Sequence, residues 1–352
     1  MLIHADHPKL QYSGRMDDTD PKAPVFVFPC TSVRIRFTGP VLKAHVQNFG
    51  AYWDNYLGCI LDGQQAAYRL PREGSAVLEL LHATGSQTDG QNVHEALLFK
   101  RQDACHEVAF TGFELAADGQ ILDLEEAPSR RIEVYGDSVS AGEVSEAVGF
   151  VGKEDPQHNG EYSNSWYSYA WMTARKLDAQ IHDIAQGGIA LLDHTGWFCD
   201  PHFIGMESVW DKVHYNPQLG KATKWDFTRY TPDVVIVAIG QNDSHPSDYM
   251  KEDPEGTKAQ TWRRHYKAFL ENIRGKYPNA QIVCCTTLLE HDDSWDASME
   301  RVCRELADER ITHYTFRRNG KATPGHLRIP EAEEMAQELA DYIRSLSVWK
   351  DQ

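Results

Sequence analysis

Ile132-Glu133-Val134-Tyr135-Gly136-Asp137-Ser138-Val139-Ser140-Ala141-Gly142 is the stretch on which the fold of this chain turns. A short apolar run ends in a glycine, and a loop of small and polar residues follows at once. Downstream, further apolar runs at 181–185, 234–239 and 281–286, with a short one near 310–315, read as buried strands. Helical stretches separate them. One lies near 165–177, and Trp262, Tyr266, Phe269 and Ile273 share a helix face at i, i+4, i+7 and i+11. Another helix carries Met299, Val302, Cys303 and Leu306, and a last one carries Met335, Leu339, Tyr342, Ile343 and Leu346. Strands alternating with helices predict an α/β domain, a parallel sheet covered on both faces. The stretch 191–230 has aromatic clusters without a period and reads as an insertion over one end of the sheet.

Upstream of that stretch the period is two. Val33, Ile35 and Phe37 alternate with Arg34 and Arg36, the pattern of a half-buried strand. Short runs recur at 41–46, 56–61, 76–81, 93–99 and 108–115, punctuated by turn pairs such as Asp62-Gly63 and Asp89-Gly90. Strands at this spacing without helices predict a β-sandwich. The segment 125–130, with Pro128, reads as a linker, dividing the chain into 1–127 and 128–352.

The 352 residues carry 35 Lys plus Arg against 52 Asp plus Glu, a net charge of −17. Such a chain is repelled by phosphate backbones and anionic bilayers, so neither nucleic acid nor membrane is expected as a partner. No apolar run approaches the roughly 20 residues of a membrane helix. The first residues show no basic or apolar export signal. Seven cysteines, Cys30, Cys59, Cys105, Cys199, Cys284, Cys285 and Cys303, form no C-x-x-C pair. Free thiols and a cytoplasmic location are therefore expected. The His-Asp clusters lack metal-ligand spacing, so no metal and no cofactor are expected.

In a parallel α/β sheet ligands bind beyond the carboxyl ends of the strands. Those ends supply Gly136-Asp137-Ser138, then Gln186-Gly187-Gly188, then Gly240-Gln241-Asn242-Asp243, and Thr323-Pro324-Gly325-His326 stands just before the last helix. A serine, glycine amides, an asparagine and a histidine in this order suit acyl transfer. Ser138 attacks, His326 takes its proton, and the amides of Ser138 and Gly187 with Asn242 hold the oxyanion. Gly188 competes with Gly187 for that role. Asp137 reads as a turn-holding residue. Position 140 is Ser, so the motif is not the G-x-S-x-G elbow of α/β-hydrolases.

These blocks resemble the SGNH (GDSL-type) hydrolase superfamily. Gly136-Asp137-Ser138 matches its first block, Gly187 its second, Gly240-x-Asn242-Asp243 its third and His326 its last. The upstream half, with Tyr12-Ser13-Gly14-Arg15-Met16-Asp17, residues 25–29 and 33–39, and Leu61-Asp62-Gly63, is similar to the β-sandwich of carbohydrate esterase family 2. The resemblance implies a jelly-roll domain followed by a flavodoxin-like catalytic domain. It implies an acetylesterase acting on acetylated xylan or mannan. The superfamily places an Asp three residues before the histidine, and here that position is Thr323. Some family members are similar in using a Ser–His dyad oriented by a main-chain carbonyl. That arrangement is expected here, near Thr323, with Asp292 and Asp293 as rival acids.

The reading that results is a serine esterase removing O-acetyl groups from hemicellulose-derived oligosaccharides through an acetyl-enzyme on Ser138. Its rivals are a lipid or thioester hydrolase, which needs a broad apolar acyl slot, and a non-catalytic glycan-binding protein. Trp295 and Trp197 are the loop indoles singled out as candidate sugar platforms, with Trp210 and Trp225 also in loops. Trp166 and Tyr169 share a helix face and read as core.

Overall fold

A computed structural model describes residues 1–82 and 92–349. The Asp89-Gly90 turn lies outside these residues. The chain divides into two compact units, one of Met1–Ala127 with Asn159–Glu161 and Val213–Thr223, the other of Pro128–His158, Tyr162–Lys212 and Lys224–Gln352. The two small segments that join the first unit come from beyond the linker, and period and spacing give no sign of them. Val213–Thr223 lies inside the stretch expected as one insertion over the sheet, so that stretch is split between the units.

The first unit is a sandwich of two antiparallel sheets. In one, Val41–Gly50 lies between His106–Leu115 and Glu73–His82; in the other, Val93–Lys100 lies between Ser32–Thr38 and Tyr56–Leu61. The alternation places Val33, Ile35 and Phe37 inward, where they share one buried core with Ala44, Val46, Val108 and Phe110 of the facing sheet. Gln64–Arg69 is a strand that hydrophobic pattern does not reveal. Among the described residues it lies at a sheet edge, pairs only with Tyr56–Leu61, and is mostly exposed, so nothing selects apolar residues there.

The second unit runs β1 (Arg130–Gly136), α1 (Ser138–Ala141), α2 (Tyr169–Lys176), β2 (Ala179–Ala185), α3 (Met206–Val209), β3 (Val234–Ala238), α4 (Tyr249–Glu252), α5 (Thr257–Lys276), β4 (Gln281–Cys284), α6 (Asp293–Leu306), β5 (Ile311–His313) and α7 (Ile329–Ser345). Its five strands are parallel in the order β2-β1-β3-β4-β5, the flavodoxin-like order. Residues of β3 and β4 are buried throughout, which is why these strands read as continuous apolar runs. Glu133 is the exception inside β1. It is fully buried, and the hydroxyls of Tyr135 (2.5 Å) and Tyr277 (3.2 Å) donate to its carboxylate. Trp262, Tyr266, Phe269 and Ile273 of α5 are all buried, as their spacing predicts.

Register sets the level of the chemistry. Gly136 pairs with Ala185 on one side and Ala238 on the other, so β1, β2 and β3 end side by side. The three motif-bearing loops therefore start from neighbouring points along one edge.

All seven cysteines are free, and six are buried while Cys199 is partly exposed. Thiol titration of the denatured, non-reduced protein is expected to count seven, with only Cys199 reacting quickly in the native state. A count of five would reveal a disulfide.

Candidate active site

Ser138 opens α1 directly beyond β1 and is 3% exposed. Asp137 caps this turn, its Oδ1 accepting the Val139 amide at 3.0 Å. Burial pushes the Asp137 carboxyl up to about 6, against the Val139 hydrogen bond and the nearby charge of His326. Gly136 permits the tight turn, since a Cβ there would stand 2.0 Å from Ser140 Oγ. Ser140 in turn bonds the buried hydroxyl of Tyr169 at 2.8 Å. Tyr169 is core, but Trp166 lies in a separate turn, Ser165–Tyr167, ahead of α2 and is only half-buried, so the two do not share one helix face as expected.

The second and third loops are stapled to each other. Asp243 accepts the amides of Leu191 (2.7 Å) and Leu192 (3.1 Å) and the Thr195 hydroxyl (3.3 Å). Burial outweighs these bonds and lifts its carboxyl to about 7. Asn242 donates from Nδ2 to the Ile189 carbonyl at 3.0 Å. An amide carries two such hydrogens, so one remains for an oxyanion. The Gly188 carbonyl accepts the Trp197 amide at 2.7 Å, which ties this loop to the segment that carries Trp197; the bond engages the carbonyl and not the amide, so Gly187 and Gly188 both remain candidate donors.

His326 departs from expectation. Its Nδ1 does not meet a main-chain carbonyl: it lies 2.6 Å from Asp155 Oδ2, and its backbone amide donates to Asp155 Oδ1 at 3.0 Å. The fully buried Arg328 forms an ion pair with the same carboxylate at 2.9 Å, and it also donates to the His326 carbonyl. Asp155 sits in the loop between α1 and α2. Although burial opposes its charge, the hydrogen bonds and charge of His326 and the charge of Arg328 hold Asp155 down at about 2. Gly325, at φ +117°, makes the close approach possible, because a Cβ there would fall 2.6 Å from Asp155 Oδ1.

Thr323 has a different task. Its hydroxyl accepts the Gly152 amide at 2.7 Å and donates to Glu331 at 2.8 Å, tying the loop that carries Asp155 to the start of α7. Glu331 also accepts the amides of Thr323 (2.9 Å) and Arg328 (3.1 Å). The rival acids are occupied elsewhere. Asp292 caps α6 by accepting the Ser294 amide at 3.1 Å, and Asp293 lies in the first turn of that helix.

The other edge of the imidazole faces Glu143, just past α1. Glu143, whose amide donates to the Ser138 carbonyl at 2.9 Å, places Oε2 3.9 Å from His326 Nε2. Burial lowers the His326 pKa, but the charges of Glu143, Asp155 and Asp137 and the Asp155 hydrogen bond prevail and raise it to about 9.

The two indoles separate. Trp295 is fully buried, because α6 begins at Asp293 and places it on the same inward face as Met299 and Val302. It packs against Tyr249 and Trp262 and donates to Asp248 at 3.0 Å, so it is not a sugar platform. Trp197 is 58% exposed and lies over His245 with ring centroids 3.4 Å apart. Trp225 is buried, Trp210 packs on Phe227 and Phe269, and Trp166 lies against Arg175 and Trp171. A cavity of about 370 Å³ lies among Leu192, His194, Thr195, His245, Pro246 and Tyr249, with neither Ser138 nor His326 in its wall. Among the described residues no group of three His, Cys, Asp or Glu could hold a metal ion, and no helix is long and apolar enough to cross a membrane.

Asp155 and Arg328 were not singled out by sequence reading. Asp155 precedes Pro156 in a stretch without periodicity, so no local pattern marks it. The one available signal was the missing acid at Thr323, which obliges another loop to supply a carboxylate if there is one.

Two family descriptions match the chain: carbohydrate esterase 2 N-terminal over residues 12–124 and the GDSL-like lipase/acylhydrolase family over residues 134–330. The chain is 28% identical over 356 residues to a cellulase/esterase (CelE) of Acetivibrio thermocellus, covering 98% of this chain and 40% of that protein. It thus spans about two-fifths of that relative's length. It is also 28% identical over 364 residues to an acetylxylan esterase/glucomannan deacetylase of Cellvibrio japonicus, covering 99% and 91% respectively. Among solved structures, a family two carbohydrate esterase from Clostridium thermocellum in complex with cellohexaose superposes with a TM-score of 0.78 at 24% identity. That match covers 97% of this chain and 99% of the other.

If Asp155 orients His326, Asp155→Asn should lower kcat on the order of 1,000- to 10,000-fold, as amide replacement of the acid does in a Ser-His-Asp triad. Steady-state kinetics on protein of verified fold measures this. Adding Thr323→Asp to that variant should restore nothing, because a carboxylate at 323 would confront Glu331 rather than His326. Full activity in Asp155→Asn would show that the histidine needs no carboxylate.

Proposed function

The chain belongs to the GDSL-like lipase/acylhydrolase family, with a carbohydrate esterase 2 N-terminal domain ahead of the hydrolase domain, and on that premise we propose that it is a serine esterase removing O-acetyl groups from hemicellulose-derived oligosaccharides. The observation that carries this reading is the pairing of His326 Nδ1 with Asp155, on a histidine whose Nε2 lies 3.9 Å from Glu143, five residues after Ser138. A histidine held in this way has the tautomer and orientation of a general base.

Ser138 Oγ attacks the acetyl carbonyl while His326 Nε2 accepts its proton, and Asp155 stabilises the imidazolium that forms. The amides of Ser138 and Gly187 and the second Nδ2 hydrogen of Asn242 receive the oxyanion. The imidazolium then protonates the departing sugar oxygen, which leaves as a hydroxyl. In the second half-reaction His326 takes a proton from the water that attacks the acetyl-enzyme and then returns it to Ser138 Oγ as acetate is released. Trp197, exposed on a loop tied to the second block, offers an indole face to a pyranose ring.

The Acetivibrio relative is named a cellulase/esterase and the Cellvibrio relative an acetylxylan esterase/glucomannan deacetylase, which supports a carbohydrate ester as substrate. Acetylated manno-oligosaccharides are the form proposed first, with acetylated xylo-oligosaccharides as the alternative. Free thiols throughout support a reducing, cytoplasmic setting for such oligosaccharides.

Three outcomes test the reading. Acetate should be released from acetylated manno- or xylo-oligosaccharides, with the lost positions visible by NMR, and Ser138→Ala should abolish that release while the fold persists. Asn242→Ala should lower kcat by about 100- to 1,000-fold with little change in KM, the mark of a group acting in the transition state. Finally, the base must be neutral to accept a proton, and its pKa is raised. Therefore kcat/KM should climb with pH and level off only above about 9. Full activity of Ser138→Ala would contradict the mechanism, and a pH profile already flat at neutrality would show that the surrounding carboxylates do not raise the His326 pKa.

A further inference from the structure

The mechanism uses one of the two carboxylates that face His326. The other, Glu143, is held in place by the turn that carries the serine. Gly142 closes α1 at φ +77°, and the next amide, that of Glu143, bonds back to the Ser138 carbonyl at 2.9 Å. The Glu143 side chain is only 11% exposed, and its Oε2 stands 3.9 Å from Nε2, the atom that accepts the serine proton. An ester that reaches Ser138 must pass within the field of this carboxylate. At such range and with so little water, a like charge on the substrate is repelled far more than it would be in bulk solvent. A sugar hydroxyl, by contrast, can donate a hydrogen bond to it.

We propose that Glu143 is a specificity-determining carboxylate of this site, admitting neutral polyhydroxy esters and disfavouring esters that carry a negative charge beside the scissile bond, such as acetylated uronic acids. This rests on the esterase reading of Ser138 and His326. The charged groups facing the imidazole are Asp155 at Nδ1, Glu143 at Nε2 and the nearby Asp137, with Arg328 paired to Asp155. Removing the Glu143 charge alone therefore leaves the orienting pair intact. It should also move the acidic limb of kcat/KM to lower pH.

The test compares 4-acetoxybenzoate with its methyl ester, two acetates of nearly identical shape that differ in charge. In the wild type the methyl ester should be preferred, and added salt should narrow the preference. Glu143→Gln should reduce the preference by about 5- to 20-fold, the size expected of one unit charge several ångströms away in a partly dry site. Glu143→Asp, which keeps the charge, should retain most of the wild-type preference and guards against a loss of fold in the amide variant. An unchanged preference in a folded Glu143→Gln, with an unmoved pH limb, would overturn the proposal. So would an equal loss on both esters at every pH, which would make Glu143 a structural support. If the wild type hydrolyses neither ester nor any acetylated sugar, the esterase reading fails instead, and the two failures are told apart.

Discussion

The carboxylate of Asp155 gathers three elements at one point. It receives the ring and the backbone amide of His326, and it neutralises a fully buried arginine two residues further on. Each partner limits the others. Arg328 cannot be buried without an acid, since removing one member of such a pair leaves an uncompensated charge away from water. Asp155 cannot rotate away without surrendering both bonds to His326. The histidine is thus held by a closed set of contacts rather than by a single hydrogen bond. Glu331 at the start of α7 completes the frame, fixing the Arg328 amide on one side and Thr323 on the other. The fold gives His326 its orientation from the loop after α1, a different place from the one its motif leads one to look.

The opposite side of the site depends on sheet geometry. Parallel register ends β1, β2 and β3 together, and Asp243 then fastens the loop after β2 to the loop after β3. That fastening explains why an aspartate follows Asn242. The asparagine faces outward with one hydrogen committed to Ile189, and the aspartate behind it keeps the two loops from parting. In the proposed oxyanion site the Asn242 amide is thus anchored before substrate arrives, the condition for a preorganised donor.

Much of this was legible before any coordinates. The change of period near residue 131 separates sandwich from parallel sheet because each architecture buries side chains at its own interval, and the helix faces of α5 and α7 followed from theirs. Ser138, Asn242 and His326 stand out in the sequence as candidates because strand ends and motif spacing coincide. Three things stayed hidden for physical reasons. The edge strand Gln64–Arg69 buries too little to show a pattern. Trp295 looked like a loop residue because Asp292-Asp293-Ser294 resembles a turn, whereas those residues cap and begin α6 and turn the indole inward. Asp155 makes its contact across a gap of 171 positions, and no local rule reports a contact of that range.

One measurement bears most directly on the pairing that holds this site together. In protein labelled with ¹⁵N at histidine, an imidazole proton shared with a carboxylate at this distance resonates far downfield of ordinary amides. A His326 Nδ1 proton signal of that kind is expected in the wild type and should vanish in a folded Asp155→Asn protein. Its absence from the wild type, or its survival unchanged in the variant, would put the proton on another acceptor and contradict Asp155 as the acid that orients His326.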